Sequence, residues 1–232
     1  MRGAQPQRAI EQHVERDGIV RKGERIIVAC SGGPDSVALA AVLYALAEPL
    51  KLTLTLAYIN HGTRASAWQD ECIVLHLSAM LGTQVKTLSL ASLENRNEAA
   101  LRDARYEALA HIAQDCAATA IATAHHAEDQ SETVLLALFR GSGLKGLAGI
   151  APRRALGNVQ LIRPLLQIPS EELRGYCHTQ GLPYAVDPTN ADLEIRRNAV
   201  RTALAALRPL FPGVDGAIAR SARIAFTEWS ER

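Results

Sequence analysis

Short apolar runs alternate with longer segments of helical length along the first 140 residues. The apolar runs have the length and composition of buried strands and are RIIVAC (25–30), LTLTLAYIN (52–60), QVKTLSL (84–90) and TAIATAHH (119–126). The segments that follow them lie at 35–47, 67–81, 97–116 and 127–140. Four successive strand–helix units predict an α/β fold, a Rossmann-like doubly wound parallel sheet covered by helices on both faces.

The pattern changes after residue 140. A glycine-rich segment at 141–154 is predicted to be a loop, and the apolar segment at 159–166 is predicted to contain a strand. Ser170 has the character of a helix N-cap, and two further helices are predicted within 184–207 and over 214–232. We expect residues 1–212 to form one domain and residues 213–232 a C-terminal connector helix.

The turn between the first predicted strand and helix is a candidate phosphate site. Its sequence, Ser31-Gly32-Gly33-Pro34-Asp35-Ser36, has glycines that permit close backbone approach and a proline suited to a first helical turn. Unpaired N–H groups and the helix dipole favour an anion at such a position. No Walker A lysine follows the glycines, and Asp35 would repel a bare phosphate unless Mg²⁺ lay between them.

Composition narrows the class of protein. The 232 residues carry a net charge of only +1, and no apolar run approaches the length of a membrane span. The N-terminus lacks the apolar core of a secretory signal, so a cytoplasmic location without membrane attachment is expected. The four cysteines are widely spaced, and no two of them form a C-x-x-C pair. We therefore expect them to be buried thiols and not metal ligands.

The distribution of charge is more informative than its sum. Between Glu132 and Glu171 there is no acidic residue, and five basic residues lie in that interval: Arg140, Lys145, Arg153, Arg154 and Arg163. Such a segment is a candidate surface for a nucleic-acid backbone. Because the chain has 21 arginines and 4 lysines, an accident of composition explains the same excess equally well.

The string S-G-G-x-D-S, placed between a strand and a helix, resembles the signature of the PP-loop ATP pyrophosphatases. Further blocks resemble the tRNA(Ile)-lysidine synthetase family within that superfamily. They are NHGTR (60–64), NEAALRDARY (97–106), TAHHAEDQSETVLLALFRGSGLKGLAGI (123–150), LIRPLL (161–166) and DPTNADLEIRRNAVR (187–201). The resemblance covers residues 24 to 223, and the absence of a cysteine pair disfavours the thiolating relatives.

The resemblance implies a reaction and its substrates. The O2 atom of the wobble cytidine in a CAU anticodon of tRNA(Ile) attacks the α-phosphorus of ATP, and free L-lysine then displaces AMP to give lysidine. ATP and Mg²⁺ are the implied cofactors. The resemblance also makes a homodimer plausible. Bacterial relatives continue into C-terminal domains, so this chain is either a naturally short form or a catalytic domain alone.

Residue roles follow from the same resemblance. Ser31, Gly32, Gly33, Pro34, Asp35 and Ser36 are expected to bind ATP, and Asp35 and Asp129 to hold Mg²⁺. Arg105 and Arg197 are expected to act at the α-phosphate or to bind RNA, and Glu132 to bind the lysine ammonium. The residues expected to contact tRNA are Lys145, Arg153, Arg154 and Arg201. Hydrogen-bonding roles near the nucleotide are expected for His61, His125 and His126.

Two other classes of function remain open from the residues. A small-molecule ligase such as an NAD synthetase would show no acid-free basic segment and no dependence on RNA. A nucleotide-binding module without turnover would tolerate the loss of Asp35 and Asp129. The chain also departs from the family where an Asp-Asp pair reads Glu128-Asp129, although the second acid is retained.

Overall fold

The structure is a computed structural model that describes residues 4–60, 67–90, 98–185 and 195–231. Within these ranges one sheet contains six strands: β1 (Arg25–Ala29), β2 (Thr53–Asn60), β3 (Gln84–Ser89), β4 (Ala120–Ala122), β5 (Arg153–Leu156) and β6 (Val159–Ile162). The same ranges contain ten helices: α1 (Ala4–Arg16), α2 (Pro34–Ala45), α3 (Ala47–Leu50), α4 (Ala67–Leu81), α5 (Glu98–Asp115), α6 (Ala127–Phe139), α7 (Leu144–Leu147), α8 (Ser170–Thr179), α9 (Ile195–Leu207) and α10 (Val214–Ser230).

The strand order is β3-β2-β1-β4-β6-β5, and every neighbouring pair is parallel except β5 and β6. The chain moves outward from β1 to β3 and then crosses to β4 on the other side of β1. This change of direction is typical of a doubly wound sheet, in which ligands bind beyond the carboxyl ends of the strands next to the switch point. The predicted α/β class and all four strand–helix units are confirmed.

The glycine-rich segment at 141–154 was wrongly predicted to be a loop throughout. It contains α7, and β5 begins at Arg153 and pairs antiparallel with β6. Only Gly157 and Asn158 separate these strands, and Gly157 has φ +57°. A two-residue hairpin turn requires positive φ, so the Gly-Asn pair was the local signal for this hairpin. Helix α1, where Ile10 and Val14 are buried, was also not predicted.

The core of the sheet follows from the apolar runs. Ile27, Ala57, Ile121 and Leu161 pack with Leu109 of α5 in one buried cluster. In α2, every residue from Ser36 to Leu43 is buried. A helix that is apolar around its whole circumference has to lie inside the protein. Burial of α2 therefore fixes the position of the turn that precedes it.

Contacts between residues divide the chain into two compact units. The first contains residues 1–124, 153–164 and 173–186, and therefore the whole sheet. The second contains residues 125–152, 165–172 and 187–232. In the second unit α10 packs on α6 and α7. The boundary predicted after residue 212 stays a prediction. In the described ranges, no helix is long and apolar enough to cross a membrane.

Candidate functional site

The turn after β1 has the predicted strand–turn–helix form. Strand β1 ends at Ala29, Gly33 is the N-cap of α2, and Pro34 is the first residue of the helix. Asp35 lies in the first helical turn. The turn follows the carboxyl end of β1, the strand beside the switch point of the sheet. Local sequence therefore places a helix N-terminus where an α/β sheet binds its ligand.

Gly32 is required by both conformation and space. Its φ is +85°, and a Cβ atom at this position would lie 3.1 Å from the carbonyl oxygen of Asp70 in α4. The Gly32 carbonyl accepts a hydrogen bond from the N–H of Ala185 at 2.9 Å. The turn is thus held against two other segments of the first unit, and its backbone has a fixed course.

The hydroxyl of Ser36 closes the turn from within. It donates to the carbonyl of Gly33 at 2.9 Å and accepts from the N–H of Ser31 at 3.1 Å. The Ser31 hydroxyl lies 3.2 Å from the same oxygen. Ser31 is expected to bind ATP, and its N–H already donates to Ser36 in this structure. The Ser36 side chain therefore stabilises the conformation of the turn.

The cysteines differ from the expectation that all four are buried. Cys30 and Cys177 are buried, Cys116 is intermediate and Cys72 is exposed. Burial raises the pKa of both buried thiols, that of Cys177 to about 12. These two thiols are therefore protonated at neutral pH. Among the residues that the structure describes, no group of three or more His, Cys, Asp or Glu could hold a metal ion.

The first turn of α6, in the second unit, carries a cluster of acids. The Asp129 carboxylate accepts a hydrogen bond from the N–H of His126 at 3.1 Å, which caps the helix. Glu128 accepts from the N–H and the hydroxyl of Ser170, at 3.0 Å each for the shortest contacts, and lies 2.8 Å from Nδ1 of His126. Burial raises the pKa of Glu128, but the hydrogen bond and charge of His126 and the Ser170 N–H outweigh it and lower the pKa to about 2.

Glu132 is held by two arginines of α9. Its side chain is 3% exposed, and it accepts hydrogen bonds from Arg201 Nε at 2.7 Å, Arg201 Nη2 at 3.1 Å and Arg197 Nε at 2.8 Å. Arg197 Nη2 is also 3.7 Å from an oxygen of Asp129. The structure thus brings together four of the predicted residues, Asp129, Glu132, Arg197 and Arg201. Glu132, expected to meet a lysine ammonium, meets guanidinium groups of its own chain.

In the first unit, Arg105 and Arg154 both contact the ring of Tyr106, with guanidinium carbons 5.6 Å and 5.5 Å from its centroid. Arg163, just after β6, is 5% exposed and hydrogen-bonds with Tyr106. Burial lowers the pKa of Arg163, against the effect of Tyr106. Tyr106 therefore contacts three arginines, all of which the sequence analysis named.

The remaining predicted RNA-contacting residues also have partners in the chain. Arg153 donates to Glu24 at 2.7 Å and to the carbonyl of Ile19 at 2.9 Å. The ammonium of Lys145 lies 5.5 Å from the centroid of the Trp229 ring. Arg153 is 18% exposed in its side chain, so its charge serves mainly to pair with a buried carboxylate.

The contacts described above do not test every role predicted from the sequence. Asp35 belongs to the first unit and Asp129 to the second, so their joint binding of Mg²⁺ stays a prediction. His61 and the motif residues 187–194 lie outside the described residues. Sequence reasoning missed the role of Gln130, whose buried amide accepts from the N–H of Ile150 at 2.7 Å and so holds the loop after α7. No local pattern marks a contact between residues twenty positions apart.

Comparison with known families agrees with the fold and the turn. A sequence profile of the PP-loop domain family matches residues 4–207. This span contains every candidate residue described above, and the chain belongs to the PP-loop domain family.

The curated relatives of this chain include two proteins named tRNA(Ile)-lysidine synthase. The protein from Symbiobacterium thermophilum is 40% identical over 198 residues, covering 83% of this chain and 41% of its own length. The protein from Salinispora tropica is 41% identical over 204 residues, covering 86% of this chain and 61% of its own length. The chain thus spans about half the length of the curated relatives it matches.

Solved structures support the fold alone. The U34-tRNA thiolase NcsA from Methanococcus maripaludis, solved with its [4Fe-4S] cluster, superposes with a TM-score of 0.79 at 19% identity, over 96% of this chain and 79% of its own. The ammonia-dependent NAD synthetase from Campylobacter jejuni gives 0.51 at 14% identity, over 98% and 96%.

Proposed function

We propose that this chain uses ATP to join lysine to the wobble cytidine of a CAU-anticodon tRNA(Ile), giving lysidine, AMP and pyrophosphate. The observation that carries the proposal is the similarity to relatives named tRNA(Ile)-lysidine synthase, which extends over more than four fifths of the chain. The turn at 31–36 supports it, since its helix N-terminus and glycine backbone suit a polyphosphate.

The chemistry divides into two displacements. In the first, a bond forms between cytidine O2 and the α-phosphorus while the bond from that phosphorus to the bridging oxygen breaks, releasing pyrophosphate. In the second, the lysine ε-nitrogen bonds to C2 of the base, the C2–O2 bond breaks, AMP leaves with that oxygen, and two of the three ammonium protons pass to solvent. The protein is required to position the reactants and to stabilise phosphate charge.

Residues are assigned to these tasks as follows. The N-terminus of α2 would receive phosphate oxygens, and Arg105 and Arg197 would stabilise negative charge at the α-phosphorus. Asp35 and Asp129 would hold Mg²⁺, which supplies charge neutralisation at the phosphates. Carboxylate oxygens suit Mg²⁺, which binds through one or two such groups together with phosphates and water. Glu132 would bind the lysine ammonium.

Three of the four residues expected to contact tRNA keep that role in the proposal. Lys145, Arg154 and Arg201 keep their assignment as contacts for tRNA phosphates. Lys145 and Arg154 are exposed, and the Arg201 side chain is 36% exposed although its partner Glu132 is buried. Arg153 is left out, since it pairs with buried Glu24. We also propose a cytoplasmic location. Light scattering of the purified chain would test the expected homodimer.

The deciding experiment is mass spectrometry of nucleosides from CAU-anticodon isoleucine tRNA after incubation with the chain, ATP, Mg²⁺ and lysine. Lysidine is expected in that tRNA and not in a methionine tRNA. Asp35→Asn and Asp129→Asn should each lower turnover at least about a hundredfold, whereas Asp103→Asn, at a carboxylate 77% exposed, should not. Near-normal turnover in both test variants would refute the Mg²⁺ assignment. Pyrophosphate release without lysidine would point to another acceptor.

A further inference from the structure

The contact between Glu132 and Arg201 joins two residues with different proposed ligands. Glu132 is assigned to a lysine ammonium and Arg201 to an RNA phosphate, yet in this structure they form a two-point ion pair at 2.7 Å and 3.1 Å. Each group therefore occupies the position that the other group's ligand would take. Binding of the two ligands cannot then be independent.

Entry of an ammonium at Glu132 is favoured when one guanidinium leaves, because only one acceptor position of the carboxylate is left open by these hydrogen bonds. A carboxylate has about four acceptor positions, and three are filled by hydrogen bonds from Arg197 and Arg201. Glu132 is also 2% exposed as a residue, so water does little to screen a third positive charge at this carboxylate. Exchange of one cation for another keeps the buried carboxylate paired, which avoids the cost of an isolated buried charge.

Arg201 is the residue better suited to leave. Its side chain is 36% exposed, against 27% for Arg197, and Arg197 has Asp129 as a second acid at 3.7 Å. Arg201 also lies in a strongly basic stretch. Between Glu194 and Asp215 the sequence has four arginines and no acidic residue, so an incoming polyanion meets little repulsion there. A guanidinium binds phosphate with the same two-point geometry that it uses for carboxylate.

We propose that Arg201 is a displaceable counter-ion of Glu132, which blocks the carboxylate until an RNA phosphate takes the guanidinium and then leaves it open to the lysine ammonium. This inference rests on the proposed function. It makes lysine binding depend on RNA, and by linkage it makes RNA binding depend on lysine to the same extent. The consequence is an order of binding in which free lysine is held poorly before the tRNA has arrived.

The test measures lysine affinity without turnover. Equilibrium dialysis of labelled lysine against the 232-residue chain, with ATP omitted, is run with and without CAU-anticodon isoleucine tRNA. Wild type should bind lysine at least about tenfold more tightly with tRNA. Arg201→Gln should bind lysine without tRNA about as tightly as wild type does with it, and should gain less than about twofold from tRNA.

Arg208→Gln is the matched control. Arg208 pairs with Asp215 through Nε at 2.7 Å and Nη2 at 3.2 Å, and its side chain is 35% exposed, so the removed contact is nearly the same. Its lysine binding should follow wild type. Arg201→Lys, which keeps the charge, should retain part of the coupling. Urea unfolding of each variant shows whether it is folded under the dialysis conditions.

The outcomes separate the inference from the function on which it rests. Equal lysine affinity of wild type with and without tRNA overturns the inference, as does weaker RNA-free lysine binding in folded Arg201→Gln. If wild type still forms lysidine in either case, the proposed function stands. If wild type binds no lysine in any condition and forms no lysidine, both are overturned.

Discussion

Glu128 is the residue whose contribution can be worked out most directly from the structure. Its carboxylate accepts two kinds of hydrogen bond from Ser170 at the start of α8, and it pairs with His126. The side chain is 17% exposed. Glu128→Gln removes the charge and one acceptor oxygen while keeping the shape. The variant therefore tests the charge of a carboxylate that ties the first turn of α6 to the start of α8.

The magnitude follows from the pKa of Glu128. Its fall from an ordinary 4.5 to about 2 means that the charged form is favoured in the folded chain. Such a fall corresponds to about 3 kcal/mol of stability at neutral pH. The glutamine oxygen keeps one acceptor for Ser170, so we expect Glu128→Gln to lower the free energy of unfolding by about 2 kcal/mol at pH 7.

The direction of the pKa shift fixes how the contribution of Glu128 to stability changes with pH. A depressed carboxyl pKa contributes stability above the unfolded value, and this contribution is lost as pH falls through the folded value. The difference in free energy of unfolding between wild type and Glu128→Gln should therefore shrink as pH falls from about 4.5 to about 2, and vanish below. Urea unfolding at pH 7, 5, 4 and 3, followed by circular dichroism, measures it.

Glu171→Gln is the control for this series. Glu171 lies in the first turn of α8, next to the Ser170 that Glu128 contacts, but its side chain is exposed. Its effect should stay below about 0.5 kcal/mol at every pH. A Glu128→Gln effect that is equally large at pH 3 and pH 7 would refute the reasoning, since it would then come from packing and not from charge.

Two further substitutions test contacts elsewhere. Gly149→Ala should destabilise the chain by about 2 to 3 kcal/mol, because φ is +62° and its Cβ would lie 2.7 Å from Oε1 of Gln130. Gly157→Ala, with φ +57° in open space, should cost only about 1 kcal/mol in the same urea unfolding, and equal costs would contradict the clash. Arg153→Ala should lower stability by about 1 to 3 kcal/mol. A double-mutant cycle with Glu24→Gln should show coupling, and strict additivity would mean that the pair contributes nothing.

Local patterns were sufficient for most of the fold. The period and length of the apolar runs predicted β1 to β4 and the four helices that follow them, because burial on a parallel sheet demands these runs. The turn at 31–36 was predictable from its own local sequence. Its glycines, proline and first-turn acid act within six residues, and positive φ at Gly32 is a property of that position.

Errors arose where a short element depends on a partner. Strand β5 has four residues with no apolar period, and it is a strand because β6 supplies its hydrogen bonds. The glycine-rich sequence of residues 141–154 was therefore predicted to be a loop. The exposure of Cys72 likewise depends on which side of α4 faces the sheet, which spacing between cysteines does not reveal.

The sequence by itself determined the class of fold, the course of the turn at 31–36 and which charged residues were candidates for a functional site. The tertiary structure decided which charges meet. Arg153 and Glu24 lie 129 residues apart, and Arg201 and Glu132 lie 69 apart. The physical reason is that helix, strand and turn preferences act over a few residues, whereas an ion pair depends on distance in space. Its partners are set only when distant segments pack against each other.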